Sequence, residues 1–302
     1  MVRHIESGGG GGSGGGGMTT RTRYVVLFLG SACIASICSN MTTLNFTFIC
    51  MGKDPSESNS TAPRGDYDYN AEERNALITA VGVGTLVAAL PFQLLYDRFN
   101  ARTVFFVAGV ISTLSTAVIP FIAAIPHLPY FIAARFLQGI SFGADFGAIG
   151  LITVHWASLK QHGLFIGLLT SFSQISVMFT MPVAGELCES KFGWSSVYYV
   201  HAALSGVLFL GWILYYRNNP AKHPLMTDIE LEKIQRDKGD NHGYKKEATP
   251  YKVGSRRLHM QESVQAILRN PVMWTVWYSA FGELMMSQFI SIFGAIYINK
   301  AP

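Results

Sequence analysis

The chain has 302 residues, 49% of them hydrophobic and 14% charged, with a net charge of +4 and a mean hydropathy of +0.27. A soluble domain carries roughly 25% charged residues, so this composition argues against a soluble enzyme, a disordered chain or a nucleic-acid binder. Twelve prolines and four cysteines indicate neither a low-complexity coat nor a disulfide scaffold. Residues 1–17 come first. Their stretch Ser7–Gly17 (SGGGGGSGGGG) holds nine of the 30 glycines and reads as a flexible linker or tag-like segment. Met18 offers an alternative start.

Seven long apolar runs follow in order: Tyr24–Met51, Ala76–Tyr96, Thr103–Ala124, Tyr130–Val154, Leu164–Leu187, Ser195–Tyr216 and Trp274–Tyr297. Each reaches the length of about 20 residues that carries a helix across a bilayer core. Of the 42 charged residues, the runs hold four: Arg135, Asp145, Glu186 and Glu283. A soluble core helix keeps a polar face and would not expel charge all round. The pattern predicts an all-α, polytopic membrane protein in contact with the lipid bilayer. The first run has no small-residue cleavage site and is too long for a signal peptide, so it is read as a retained span.

Orientation follows from the loops. The N-terminus, 97–102, 155–163 and 217–273 together hold 17 lysines and arginines, against five in 52–75, 125–129, 188–194 and the C-terminus. The N-terminus is therefore expected in the cytoplasm. The loop 52–75 carries six carboxylates to three bases and the glycosylation sequon Asn59-Ser60-Thr61, which fits the opposite side. Asn40 and Asn45 also match a sequon but fall inside the first span. The grouping is a six-span unit over 24–216, a cytoplasmic central loop over 217–273 and a seventh span over 274–297. Within the loop, Thr227-Asp228-Ile229-Glu230 has the capping-box pattern that starts a helix, here through about Lys238. Asp237–Tyr251 reads as a solvated linker.

After the second span comes Gln93-Leu94-Leu95-Tyr96-Asp97-Arg98-Phe99-Asn100-Ala101-Arg102. In Leu95, Asp97, Arg98 and Arg102 it resembles the cytoplasmic loop signature of the major facilitator superfamily. Three further strings lie in the fourth to sixth spans: Arg135-Phe136-Leu137-Gln138-Gly139, Met181-Pro182-Val183-Ala184-Gly185 and Gly193-Trp194-Ser195-Ser196-Val197-Tyr198-Tyr199-Val200. They resemble the anion:cation symporter family, which includes vesicular glutamate transporters, sialin and sodium/phosphate cotransporters. The register holds from about Arg21 to Tyr297.

The resemblance implies a major facilitator fold, with an N-terminal six-helix bundle plus the first helix of a second. It also implies transport of a small organic or inorganic anion by alternating access, coupled to H+ or Na+. Asp97, Arg98 and Arg102 would latch the cytoplasmic gate. Of the positions it assigns to an organic anion, Arg135 is retained, while Met41, Phe142, Gly150 and Glu283 stand at others. Plasma membrane and vesicular or lysosomal membrane both suit the family. A facilitator needs two bundles facing each other, and here the second stops after one helix. The chain therefore reads as a truncated or partner-dependent form that transports nothing alone. Seven spans is also the number of a receptor, but a receptor's N-terminus lies outside, which would invert the charge count.

Ionisable groups inside a membrane are functional candidates by default. Arg135 either binds an anionic substrate bidentately or is a structural arginine that snorkels toward the outer surface or bonds helix carbonyls. Asp145, roughly 15 Å further along one helix axis, is a coupling-ion site or a structural hydrogen-bonding group. Glu283, near mid-bilayer, is a second coupling-ion candidate or a neutral structural acid. Glu186 is read as interfacial and His201 as a polar packing residue. Gly139, Gly143 and Gly147 form a stripe that lets helix backbones approach. Pro91, Pro120 and Pro182 are candidate kinks. Cys50 and Cys188 both fall at the outer face, which leaves a bridge between them open. No metal spacing, phosphate-cradling glycine loop or nucleophile elbow appears, so neither a cofactor nor an enzyme is expected.

Overall fold

The computed structural model describes residues 21–51, 69–123, 127–235 and positions scattered through 269–289. Residues 1–17, Asn59, Asp237–Tyr251 and Glu283 lie outside the described residues, as does most of the expected seventh span. The long helices are α1 (Thr22–Met51), α2 (Ala71–Arg98) and α3 (Ala101–Ala123). They are followed by α4 (Leu128–Gly143), α5 (Asp145–Trp156), α6 (His162–Thr170), α7 (Phe172–Glu189) and α8 (Trp194–Tyr215). A short α9 (Asp228–Gln235) comes last. No strand occurs among the described residues.

Among the described residues, six spans are long and apolar enough to cross a membrane: α1, α2, α3, α4 with α5, α6 with α7, and α8. They overlap the first six apolar runs and extend past most of their ends, because helices continue into polar flanks. α2 opens five residues before its apolar run, where Glu73 Oε2 accepts the backbone N–H of Asn70 at 2.9 Å. That closure satisfies a donor a helix start otherwise leaves free. Pro91, Pro120 and Pro182 sit inside α2, α3 and α7 without ending them.

α1 runs through the centre, packed on α7 and α8, while α2 pairs with α4 and α3 bridges α4 to α8. Large apolar side chains cover the outside: Phe28, Leu86, Leu90 and Met178 are each at least three-quarters exposed. Such a surface suits hydrocarbon rather than water. Since lipid tails give helices no hydrophobic reason to associate, close packing must. α2 and α4 achieve it through glycine. A Cβ on Gly139 would stand 2.1 Å from the Val81 carbonyl oxygen, and one on Gly84 2.4 Å from that of Phe136. Gly143 and Gly147 continue the stripe against Ala88 and the Tyr96 ring.

The two ends of the bundle are closed differently. At the Met51 end a disulfide joins Cys50 to Cys188. At the Thr22 end, residues 217–235 fold back over the bundle. Thr22 Oγ1 donates to the Leu225 carbonyl at 3.0 Å, and Trp156 Nε1 to that of Arg217 at 3.2 Å. The capping-box residue Glu230 serves a distant helix: its Oε1 accepts the backbone N–H of Arg23 at 3.0 Å. A carboxylate there complements the positive start of α1.

Candidate functional site

Arg135 lies on α4 where α1, α2 and α3 converge, 2% exposed. Its Nη1 donates to the Met41 carbonyl at 2.8 Å and to Gln138 Oε1 at 2.6 Å; its Nε donates to the Leu77 carbonyl at 3.3 Å. Gln138 extends the network, giving Nε2 to Thr116 Oγ1 at 2.8 Å and to the Asn40 carbonyl at 3.2 Å. Asn40 Nδ2 reaches Ser112 Oγ at 3.0 Å. Four helices thus meet through one guanidinium and one amide. All of Arg135's acceptors are neutral, and it forms no ion pair among the described residues. The guanidinium stays charged in any such setting, so a full positive charge sits buried and uncompensated.

A hydroxyl ladder runs beside it between α1 and its neighbours. Ser39 shares a hydrogen bond with Thr180 at 2.5 Å, Thr42 with Ser176 at 3.4 Å and Thr47 with Tyr198 at 2.7 Å. The run Ser36, Ser39, Asn40, Thr42, Thr43 and Thr47 was visible in the first span as polar groups recurring every three or four residues. Gln138 carried no comparable signal.

Asp145 lies on the far side of a break in the fourth span. α4 ends at Gly143, and the Ala144 N–H turns back to the Ser141 carbonyl at 3.1 Å. Asp145 then opens α5, with 0% exposure. Neither carboxylate oxygen has a hydrogen-bond partner among the described residues. Cys33, Cys38 and Tyr96 lie in the buried cluster that also holds Ala144. Tyr96 Oη donates at 3.0 Å to the Ala144 carbonyl, holding the break in place.

The structure brings Arg135 and Asp145 into the same interior without pairing them. Asp97 and Arg98 stand exposed at the end of α2, with no ion pair among the described residues. Arg102 turns toward α8 instead. Its Nε donates to the Ile213 carbonyl at 2.8 Å and Nη2 joins the same oxygen, while its backbone N–H reaches Asn218 Oδ1 at 3.0 Å. The three gate candidates therefore share one end of the bundle, and none is joined to another. Glu186 is exposed on α7. His201 is a packing residue, its Nδ1 2.7 Å from the Val197 carbonyl.

Among the described residues, six apolar spans around a buried polar centre, lipid-suited outside, make this an integral, multi-pass membrane protein. A profile of the Major Facilitator Superfamily matches residues 18–301, and the chain belongs to that family. The chain is 28% identical over 185 residues to vesicular glutamate transporter 1 of Xenopus laevis, covering 61% of this chain and 32% of that protein. To human vesicular glutamate transporter 2 it is 28% identical over 221 residues, covering 70% and 37%. It is 22% identical over 294 residues to human sodium-dependent phosphate transport protein 1, covering 92% and 58%. The chain thus spans about a third of the length of the glutamate transporters it matches.

Proposed function

We propose that this chain belongs to a carrier that moves a small anion across a membrane by alternating access, coupled to H+ or Na+. The observation that carries the reading is Arg135, a buried guanidinium whose hydrogen-bond acceptors are all neutral. An anion that exchanges with the Met41 or Leu77 carbonyl gains a charge-assisted, bidentate contact without first breaking an ion pair. The names of the relatives, glutamate and phosphate transporters, agree with an anionic cargo. Asp145 and Glu283 are the coupling-ion residues of this reading. Asp97 and Arg98, exposed, are free to meet a facing bundle, while Arg102 braces α3 against α8 beside them.

The N-terminus is placed in the cytoplasm and the Met51 end outside it or in a lumen. The loop charges and the Asn59 sequon support this. The Cys50–Cys188 disulfide supports it as well, because such bonds persist in oxidising compartments. Plasma membrane and vesicular or lysosomal membrane both meet that condition.

The test is uptake of radiolabelled glutamate and inorganic phosphate into proteoliposomes holding this chain completed by a second helix bundle, with anion-dependent thermal stabilisation in detergent as a second readout. Arg135→Gln removes a charge-assisted contact of about 1.5–3 kcal/mol, so affinity falls roughly ten- to a hundredfold. Arg135→Lys keeps the charge without the fork and restores part of it. An unchanged anion response in Arg135→Gln overturns the role of this residue.

A further inference from the structure

Arg135 is held by a side chain that grips it without neutralising it. Gln138 stands three residues further along α4, on the same face, and is 1% exposed. Among the described residues it is the only side chain hydrogen-bonded to Arg135, the other partners being the Met41 and Leu77 carbonyls. A guanidinium only donates, so the amide must turn its oxygen toward Arg135 and its nitrogen away. That orientation commits the nitrogen to Thr116 Oγ1 and the Asn40 carbonyl. Gln138 is thereby tied to α1 and α3 while it holds a cation on its own helix.

A neutral partner is the less stable choice here. A buried charge without a counter-charge is costly, and a carboxylate in the same place would remove much of that cost. Glutamate has nearly the shape of glutamine, and the Thr116 hydroxyl can turn to donate where it now accepts. The Asn40 carbonyl would lose a donor at 3.2 Å, but it lies midway along α1, where the helix ladder also serves it. Position 138 nevertheless carries an amide.

The edges of the guanidinium show what that amide leaves open. Nη1 is committed twice, to the Met41 carbonyl and to Gln138. Nε holds the Leu77 carbonyl at 3.3 Å, the longest of the three contacts. Nη2 makes no hydrogen bond among the described residues. An anion that displaces the Leu77 carbonyl therefore meets the Nε–Nη2 edge as a bidentate fork. Gln138 keeps Nη1 in place throughout. A carboxylate tethered at 138 would instead compete with the anion as an intramolecular partner.

We propose that Gln138 is the positioning residue of the anion site: it fixes Arg135 by Nη1 and, being an amide, leaves the positive charge for the anion at the Nε–Nη2 edge. The inference rests on the anion-transport reading above.

The experiment titrates inorganic phosphate and glutamate against the thermal midpoint, in detergent, of this chain completed by a second helix bundle. Gln138→Glu raises the half-saturating concentration roughly ten- to a hundredfold, because the cation is already paired. Gln138→Met keeps the length without polar atoms. It raises that concentration about three- to tenfold, because the loosened guanidinium must be ordered again on binding. Without anion the order of the two variants reverses. Gln138→Glu melts above Gln138→Met, and adding Arg135→Gln removes the advantage. A merely structural glutamine would make stability and binding fall together, so the same order in both readouts overturns the inference. Parent-like binding in Gln138→Glu overturns it too. An unchanged response in Arg135→Gln fails the anion reading itself, whereas a response lost there and intact in Gln138→Glu fails this inference alone. A parent that answers neither anion fails both.

Discussion

The two ends of α1 are held by different chemistry. Near Met51 the helix is bonded covalently to α7 through Cys50 and Cys188, and Arg74 stacks over the Phe48 ring at 5.3 Å. At Thr22 it is held by hydrogen bonds to a segment some two hundred residues away in sequence. Glu230 caps it, 0% exposed, with the Arg23 Nε 4.0 Å distant. His223 locks that segment from below. Its Nε2 lies 3.1 Å from the Tyr215 carbonyl, and its Nδ1 accepts the Leu225 N–H at 3.2 Å. Trp156 packs edge-on against the imidazole at 5.6 Å. One end cannot part without breaking a bond, whereas the other can be released by hydration or a proton. The Cys50 end is therefore the more firmly held of the two.

Three perturbations test this contrast. Replacing Cys50 and Cys188 by serine makes the ends alike and has the largest effect. A disulfide closing so long a loop is worth about 2–4 kcal/mol in soluble domains. Spans that stay helical in the bilayer place the loss near 2 kcal/mol, read as a lower thermal midpoint in detergent. Glu230→Ala widens the contrast. It removes a helix-start carboxylate and strands Arg23, a loss of about 1–2 kcal/mol. Faster amide exchange at residues 22–26 and 228–235, with none near Cys50, is the expected readout.

The smallest effect is a pH dependence. Burial, assisted by the Arg217 charge, holds His223 below its ordinary range, against the opposing pull of the Tyr215 carbonyl and Glu230. A group depressed in the fold stabilises it fully above the unfolded value of about 6.5 and loses that contribution as pH falls toward the folded value. Protonated Nδ1 can no longer accept from Leu225. Exchange at residues 222–226 therefore rises with acid below about pH 6.5, and His223→Gln flattens the profile.

How much of this could be read in sequence depended on range. Apolar length located six spans, and charge exclusion nominated Arg135 and Asp145, because both signals are local and strong. The break at Ala144 had no proline or turn dipeptide to announce it, so the fourth run read as one helix. Arg135 met backbone carbonyls, which leave no trace in side-chain pattern. Glu230 looked like half of a capping box for its own helix, but its partner lies 207 positions away. Cys50 and Cys188 are 138 apart. Only the topology, which returns the first and fifth spans to one face, brought them near.

The glycine contact between α2 and α4 also sorts inherited variation in this chain. A side chain at Gly84 or Gly139 would collide with backbone, which has nowhere to retreat, so a missense change there should be damaging whatever residue it introduces. Gly82, Gly150, Gly163, Gly167 and Gly185 have no atom within 4 Å of an added Cβ. Alanine at those five sites meets no clash within the described bundle, although the one-letter sequence shows seven identical glycines.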